Sequence, residues 1–238
     1  MVGNDVVDLR DADARPESFR ARFDERVFGA DERRAIARDP DPLARRWAHW
    51  AAKEAAYKLA RRSDPTFVFA PGRMIARFEA PERGAAGAVV ARVRNGRLEL
   101  PRPLPSGERV VALRSFETDA WVHVVATSSE PDWEAIDVAV EEIDPGTADP
   151  SAAVRTLAKG AIARGLGIEA ERLTFGREGR APTVELDGVR TALSLSLSHH
   201  GAWVAYAMGL PVEAERPAEA ASVWNGRARR ASAGMGRA

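Results

Sequence analysis

The sequence Trp-Ala-Ala-Lys-Glu-Ala-Ala-Tyr-Lys at residues 50–58 decides how the chain folds, because it lies within the strongest predicted helix, from Leu43 to about Arg62. A strand is predicted before this helix, at residues 2–9, which alternate and are rich in valine. After it, strands are predicted up to residue 127, with a hairpin turn at Asn95-Gly96. The predicted strands there are TFVF, RMIARF, AVVARVR, RLEL, RVVALRSF and WVHVVAT.

Two charged side chains lie on the apolar face of this helix. At about 100° per residue, Glu54 and Lys58 project within about 20° of Trp47, among leucine, alanine and tryptophan side chains. Lys53 falls about 120° away and ranks below Lys58 as a functional residue. Two interpretations stay open: an ordinary surface Glu–Lys pair at i,i+4, or a cleft where both charges meet a metal and phosphates. The side predicted to lie opposite the stripe holds Arg45, His49, Ala52 and Ala56.

The predicted first strand carries an acid on each face, Asp5 on one and Asp8 on the other. Burying an isolated carboxylate is costly unless a cation or hydrogen-bond donors compensate it. One explanation is that Asp5 is a capping or turn carboxylate. The other is that Asp5 and Glu54 together bind a hard cation such as Mg²⁺, which takes few carboxylates and completes its shell with phosphate and water.

A third cluster lies near the C-terminus, where Ser194, Ser196 and Ser198 share one face of a predicted strand and precede His199 and His200. Serine and histidine at a strand end can donate hydrogen bonds to a phosphate. A polar strand edge explains the spacing equally well. Adjacent histidines lack the spacing of zinc ligands on a helix.

The chain divides at an acidic segment, since residues 128–150 contain eight acidic residues and no basic one. Beyond it, Ser151 is predicted to cap a helix that ends at Gly165, followed by strands RLTF, TVEL, ALSLSLS and AWVAYAM. The predicted divisions are an N-terminal half (1–128), an acidic linker (129–150), a C-terminal half (151–210) and a disordered tail (211–238).

Composition excludes several functions. The 238 residues balance 35 Lys and Arg against 35 Asp and Glu, so no overall cationic field favours nucleic acid or an anionic membrane. With no cysteine, disulfides, iron–sulfur clusters and thiol catalysis are excluded. Walker, dinucleotide, nucleophile-elbow and zincin motifs are missing. Without a signal peptide or a membrane-spanning run, we expect a cytoplasmic protein with no membrane partner.

Four motifs together resemble the 4′-phosphopantetheinyl transferase superfamily, which includes the holo-acyl-carrier-protein synthases. Residues 50–58 are similar to its W-x-x-K-E-[AS]-x-x-K signature, and residues 2–9 are similar to its G-x-D-[IV]-x-[ED] strand. Residues 26–32 resemble R-[IV]-F-x-x-x-E, and residues 196–203 resemble S-[IL]-S-H-S-G-x-W. The family's G-K-P turn is altered here to Gly-Arg-Ala-Pro at residues 179–182.

The resemblance implies Mg²⁺-dependent transfer of 4′-phosphopantetheine from coenzyme A to a serine of an apo acyl or peptidyl carrier protein. It implies Asp5 and Glu54 as metal ligands, with Asp8 or water as a third, and Asp5, Glu54 and Lys58 as catalytic residues. The general base is Glu54 or a metal-bound water. Coenzyme A would be held by Lys58, Ser198, His199, Arg155 and Arg180.

The resemblance also implies an α+β fold of two pseudo-symmetric halves, each with a helix packed on a small antiparallel sheet. Compared with the two-halved members of the family, the halves stand in swapped order, because the half with G-x-D and K-E comes first. A monomeric pseudo-dimer with the cofactor between its halves is expected. The alternative is a catalytically weak module that binds coenzyme A or docks a carrier protein, which Val7 in place of the family's second acid would suit.

Overall fold

The computed structural model describes residues 1–86, 89–127, 133–144, 146, 149–179 and 181–209. Along these residues one strand is followed by three α-helices, six strands, a fourth α-helix and five more strands. The helices in these ranges are α1 (Phe23–Val27), α2 (Ala30–Arg38), α3 (Pro42–Ser63) and α4 (Pro150–Leu166).

The strands of the described residues form three antiparallel sheets. The first sheet has the order β1-β6-β5-β4-β2, with β3 also paired to β4, and comprises β1 (Val2–Asp8), β2 (Ile75–Phe78), β3 (Glu82–Ala86), β4 (Val89–Glu99), β5 (Val110–Glu117) and β6 (Trp121–Thr127). The second, in the order β11-β12-β7, comprises β7 (Ile136–Glu142), β11 (Ser194–His200) and β12 (Trp203–Gly209). The third, in the order β10-β9-β8, comprises β8 (Leu173–Glu178), β9 (Ala181–Leu186) and β10 (Val189–Arg190).

Apolar side chains pack these elements in layers. One core cluster lies between α3 and one face of the first sheet, and a second lies between the other face of that sheet and the second sheet. A third cluster joins α4 to the second and third sheets. Because β1 contacts α3 on one side and β11 and β12 on the other, it lies where the N-terminal and C-terminal parts of the chain meet.

Helix α3 is buried by its small residues more than by its indoles. The fully buried residues include Ala48, Ala51, Ala55 and Leu59, whereas Trp47 is only half-buried. The side predicted to lie opposite the tryptophan stripe is buried as well: Arg45, His49, Ala52 and Ala56 are all at most 5% exposed. Alanine allows a sheet to approach closely, so the helix touches neighbours on more sides than its large residues indicate.

Gly3 sets the distance between β1 and α3. A Cβ atom at this position would lie 2.1 Å from the carbonyl oxygen of Ala55 and 2.8 Å from the backbone nitrogen of Leu59. Backbone atoms of a helix cannot move aside to accommodate such a contact. The glycine of the G-x-D motif therefore allows the strand and the helix to lie in direct contact.

Two local predictions were wrong. Asn95-Gly96 is not a turn, because β4 runs unbroken from Val89 to Glu99 and pairs there with both β2 and β5. A Cβ at Gly96 would lie 2.4 Å from the carbonyl oxygen of Arg77, so this glycine allows close approach of β2. Residues 66–69 are not a strand either, although Phe67 belongs to the core cluster around α3 and Phe69 packs against it.

The second part of the chain differs from prediction at its ends. Helix α4 is capped by Asp149, whose side chain accepts from the backbone N–H of Ala152, and it ends at Gly167 in the left-handed region (φ 67°). Strand β7 lies within the segment predicted as a linker and pairs with β12. The predicted tail, residues 211–238, lies outside the described residues.

The mixed α/β class with antiparallel sheets is confirmed. In each part of the chain a first strand pairs with the last strand, which pairs in turn with the strand before it: β1-β6-β5 and β7-β12-β11. Whether the two parts are pseudo-symmetric halves stays a prediction. None of the described helices is long and apolar enough to cross a membrane.

Candidate functional site

A cavity of about 430 Å³ lies between α3 and the C-terminal part of the chain. One wall is the last three turns of α3, and the others come from β9, β11, the end of β8 and the turn that follows it. Its described lining residues that carry charge are Glu54, Lys58, Arg61, Arg62 and Glu178. Three cations against two carboxylates make this cavity suited to an anionic ligand, although the whole chain has no net charge.

Lys58 joins the helix to the first strand at the edge of this cavity. Its Nζ donates to Asp5 Oδ1 at 2.8 Å and to the backbone carbonyl oxygen of Asn4 at 2.9 Å. The Lys58 side chain is 33% exposed and lines the cavity. Asp5 is 16% exposed and is not among the described lining residues, so Lys58 connects it to the cavity. Residues from two elements that the sequence predicted to converge are thus brought together.

Glu54 lies one helical turn before Lys58 and also lines the cavity. Burial and the negative charge of Asp5 raise its pKa, Lys58 lowers it, and the net result is a pKa raised to about 7. The carboxylate makes no hydrogen bond with the described residues. Two carboxylates that repel each other and share one ammonium form a site that lacks positive charge.

The donors at this point fit a hard cation. Asp5 and Glu54 offer carboxylate oxygens, and a divalent ion would offset both the burial and the repulsion from Asp5 that raise the pKa of Glu54. Among the described residues, no group of three or more histidine, cysteine, aspartate or glutamate side chains is placed to hold a metal. Such an ion would therefore complete its coordination with ligand phosphate and water, as Mg²⁺ commonly does.

Arg61 and Arg62 line the cavity but were not predicted as site residues. They follow Lys58 at i+3 and i+4, so extending the helical wheel by one turn would have placed both near the face of Lys58. Arg62 Nη2 also donates to the carbonyl oxygen of Leu195, which ties the end of α3 to β11. Tyr57, within the 50–58 motif itself, also lines the cavity and was not predicted as a site residue.

The serines of β11 are bound to β1. Ser196 Oγ accepts from the backbone N–H of Asn4 at 2.9 Å, and Ser198 Oγ accepts from Asn4 Nδ2 at 3.0 Å. Ser196 lines the cavity, whereas Ser198 is 5% exposed and does not. The cofactor-binding role predicted for Ser198 stays a prediction, and these contacts favour a structural role.

The other predicted coenzyme A residues are dispersed. His199 is exposed, and its Nε2 lies 3.5 Å from Ser151 Oγ at the beginning of α4. Arg155 donates to the carbonyl oxygen of Ser151 at 3.0 Å, so His199 and Arg155 both contact this residue. Neither lines the cavity. Arg180 lies outside the described residues.

Asp8 holds the turn between β11 and β12. Its two carboxylate oxygens accept backbone N–H groups, from Arg10 at 2.8 Å and from Ala202 at 3.0 Å. A Cβ at Gly201 would lie 2.3 Å from Asp8 Oδ2, so the turn is packed directly on this carboxylate. Asp8 as a third metal ligand stays a prediction, but these bonds already occupy its oxygens.

Lys53 is fully buried on the side of α3 away from the cavity. Its Nζ donates to Glu32 Oε2 at 2.8 Å and to three backbone carbonyl oxygens, those of Val27, Pro71 and Met74. Glu32 also accepts the N–H groups of Gly29 and Ala76. Burial alone would raise the pKa of Glu32, but His49 and Lys53 outweigh it and hold the pKa below its usual value. Lys53 and Glu32 are thus placed to stabilise the fold, and neither lines the cavity.

One comparison finds a similarity in the N-terminal part of the chain. A family model of the 4′-phosphopantetheinyl transferase superfamily matches residues 1–70, which include β1 and α3. No curated protein matches the chain. The match covers the G-x-D strand, Glu32 and the whole W-x-x-K-E-x-x-x-K helix, and it stops before the C-terminal part. Residues 1–70 are therefore similar to the 4′-phosphopantetheinyl transferase superfamily, in agreement with the resemblance of the sequence motifs.

Proposed function

We propose that this protein is a Mg²⁺-dependent 4′-phosphopantetheinyl transferase that moves phosphopantetheine from coenzyme A to a serine of an apo acyl or peptidyl carrier protein. Adenosine 3′,5′-bisphosphate is the product that leaves. The observation that carries the proposal is the meeting of Asp5, Glu54 and Lys58 at the edge of a cationic cavity. The match of residues 1–70 to the superfamily supports it.

The reaction breaks a diphosphate bond, so the enzyme has to neutralise negative charge and hold the carrier hydroxyl in line with that bond. Asp5 and Glu54 are the proposed Mg²⁺ ligands. When bound, Mg²⁺ supplies positive charge that balances the diphosphate oxygens. Asp5 also orients the Lys58 ammonium, and the two bonds that Lys58 makes leave one of its three N–H donors for a phosphate oxygen.

Arg61 and Arg62 supply further positive charge on the same wall of the cavity. Guanidinium groups bind phosphate through paired donors, so they suit the diphosphate or the 3′-phosphate of coenzyme A. His199 and Arg155, which meet at Ser151, are proposed to bind a phosphate farther along the donor. Glu54 and a metal-bound water both remain candidates for the general base.

The proposal includes the architecture implied by the family. The N-terminal part with G-x-D and K-E and the C-terminal part with S-x-S-H are taken as the family's two halves in swapped order, joined as a monomeric pseudo-dimer. The shared connectivity β1-β6-β5 and β7-β12-β11 supports this interpretation. Coenzyme A and a carrier protein are the proposed partners, and the cytoplasm, where both occur, is the proposed location.

The test is a transfer assay with defined substrates. The purified protein is incubated with coenzyme A, MgCl₂ and a panel of apo carrier proteins from fatty-acid, polyketide and peptide synthesis, and each carrier is weighed by mass spectrometry. A gain of one phosphopantetheine that disappears with EDTA supports the proposal. No gain on any carrier, together with coenzyme A binding that is indifferent to Mg²⁺ in calorimetry, would replace it with a binding module.

A further inference from the structure

Side chains of β11 take the place of a neighbouring strand along the outer edge of β1. Three backbone N–H groups of β1 donate to them, and the partners in each pair are 192 residues apart, so the two strands run parallel and in step. Buried backbone donors need acceptors, and here hydroxyl and imidazole groups supply them. The pairs are Val2 N–Ser194 Oγ (2.9 Å), Asn4 N–Ser196 Oγ (2.9 Å) and Asp8 N–His200 Nδ1 (3.1 Å).

Asn4 connects this edge to the cavity. Its side chain is fully buried, and Nδ2 lies 3.0 Å from Ser198 Oγ and 3.1 Å from His123 Nε2. Its backbone carbonyl oxygen accepts from Lys58 Nζ at 2.9 Å. One residue thus contacts both serines of the S-x-S-H motif on one side and the lysine of the helix motif on the other.

His123 is a stable acceptor in this network. Burial, with a smaller contribution from the positive charge of Lys58, lowers its pKa to about 3, so the imidazole is neutral at physiological pH. A neutral imidazole offers one unprotonated nitrogen, and Asn4 Nδ2 is the donor placed against Nε2. With both of its amide hydrogens bound, Asn4 has little freedom to shift.

We propose that Asn4 is a positioning residue of the transfer reaction: held by Ser196, Ser198 and His123, it fixes the Lys58 ammonium beside Asp5 at the cavity. The inference rests on the proposed function for its kinetic consequence. Ser198 then acts through Asn4 instead of binding a coenzyme A phosphate, which agrees with its burial and its absence from the cavity wall.

Kinetics separate the two roles of Ser198. If Ser198 positions Lys58 through Asn4, Ser198→Ala lowers kcat about five- to tenfold and leaves the KM for coenzyme A within twofold. Asn4→Ala lowers kcat at least as much, and the double variant is no worse than Asn4→Ala alone, because both changes remove one linkage. A raised KM with unchanged kcat for Ser198→Ala, or additive losses in the double variant, would overturn the proposal.

Thr127→Val is the matched control. The buried hydroxyl of Thr127 donates to the carbonyl oxygen of Met1, just before β1, at 3.1 Å. Thr127 does not line the cavity. Thr127→Val should lower the melting temperature about as much as Ser198→Ala does, while its kcat stays within about twofold of wild type. An equal loss of kcat in Thr127→Val and Ser198→Ala would reduce the network to a general stabilising role and overturn the proposal.

A second measurement does not depend on turnover. The chain has three lysines, Lys53, Lys58 and Lys159, so a ¹⁵N-lysine sample gives at most three ammonium signals. Asn4→Ala and Ser198→Ala should shift or broaden the Lys58 signal and leave that of Lys159 in place. An unmoved Lys58 signal in both variants would overturn the positioning role. If wild type transfers nothing while the signal moves, the proposed function fails and the positioning of Lys58 stands.

Discussion

Two lysines five residues apart on α3 have opposite surroundings. Lys53 is fully buried and donates to a carboxylate and three carbonyl oxygens, whereas Lys58 lies at the edge of a cavity and donates to Asp5 and one carbonyl. The acids differ in the same way. Glu32 beside Lys53 has a lowered pKa, and Glu54 near Lys58 has a pKa raised to about 7.

The difference shows how one short motif specifies both a fold and a site. The Lys53 ammonium and the Glu32 carboxylate each have several partners, so the pair ties α1, α2 and the turn at Pro71 to the helix. Around Lys58 the charges are incompletely balanced, as is typical of sites that bind an ion or a charged substrate. Stability should therefore depend on the first cluster and activity on the second.

The largest effect on stability is expected for Lys53→Met. The variant leaves Glu32 buried without its cation and three carbonyl oxygens without a donor, so the free energy of unfolding should fall by about 3–5 kcal/mol. Lys58→Met makes the same change on the same helix at a more exposed position and should cost under about 1 kcal/mol. Urea unfolding measures both. Equal losses would show that the two lysines do not differ as described.

The largest effect on activity is expected at the other cluster. Glu54→Ala and Lys58→Met should each lower kcat/KM about 10²–10³-fold. The first variant loses a proposed Mg²⁺ ligand, and the second loses the ammonium proposed to donate to a phosphate oxygen. Lys159→Met changes the third lysine of the chain, on α4, and serves as the control: its kcat/KM should stay within about twofold of wild type. A Lys58→Met protein that is folded and fully active would remove Lys58 from the proposed mechanism.

A smaller effect is expected for Arg61→Gln. Arg61 lines the cavity, and loss of its charge should raise the KM for coenzyme A about five- to tenfold while kcat changes less. The difference from wild type should shrink as NaCl is raised, since salt screens partly exposed charges. Arg97→Gln, an exposed change on β4 outside the cavity, provides the control. Equal KM values for the two variants would exclude Arg61 from coenzyme A binding.

The smallest effect concerns pH and has opposite signs at the two glutamates. Glu54 binds a proton more tightly folded than unfolded, so the metal-free protein should lose stability as pH rises from 4.5 to about 7, and Glu54→Gln should remove that loss. Glu32, with a lowered pKa, stabilises the fold above its usual value and loses this contribution as the solution becomes acidic.

The measurement is urea unfolding across pH with EDTA present. The difference between wild type and Glu54→Gln should change between pH 4.5 and 7, and the difference between wild type and Glu32→Gln should change only in acid. In a parallel series without EDTA, MgCl₂ should lower the pH at which the Glu54 effect ends, because a bound cation favours the ionised carboxylate in the folded state. A flat Glu54 difference over this interval would show that its carboxyl is not desolvated.

Periodicity and motif spacing predicted much of the site. They placed Asp5 on a strand and Glu54 and Lys58 on one helical face, and the structure brings these side chains together. Carried one turn further, the same helical arithmetic would have found Arg61. Local chemistry was enough here because the residues lie on two regular elements whose contact is set by Gly3.

Long-range pairing could not be predicted in this way. Lys53 is bound by a glutamate 21 residues earlier, and the partners of Ser194 and Ser196 lie 192 residues away, where no periodic pattern relates them. Alternation in β11 shows which residues share a face but not what that face meets. Asn95-Gly96 failed for a related reason, since strand pairing on both sides of β4 overrode a local turn preference.

The row of β11 acceptors along β1 has a consequence for fragments of this protein. A piece ending at Thr127 would keep both proposed magnesium ligands, yet it would expose a strand border with amide donors that no longer have acceptors. Open borders of this kind recruit strands from other molecules. Such a fragment should therefore self-associate. In the full chain the C-terminal part prevents this association, because β11 covers the edge of β1.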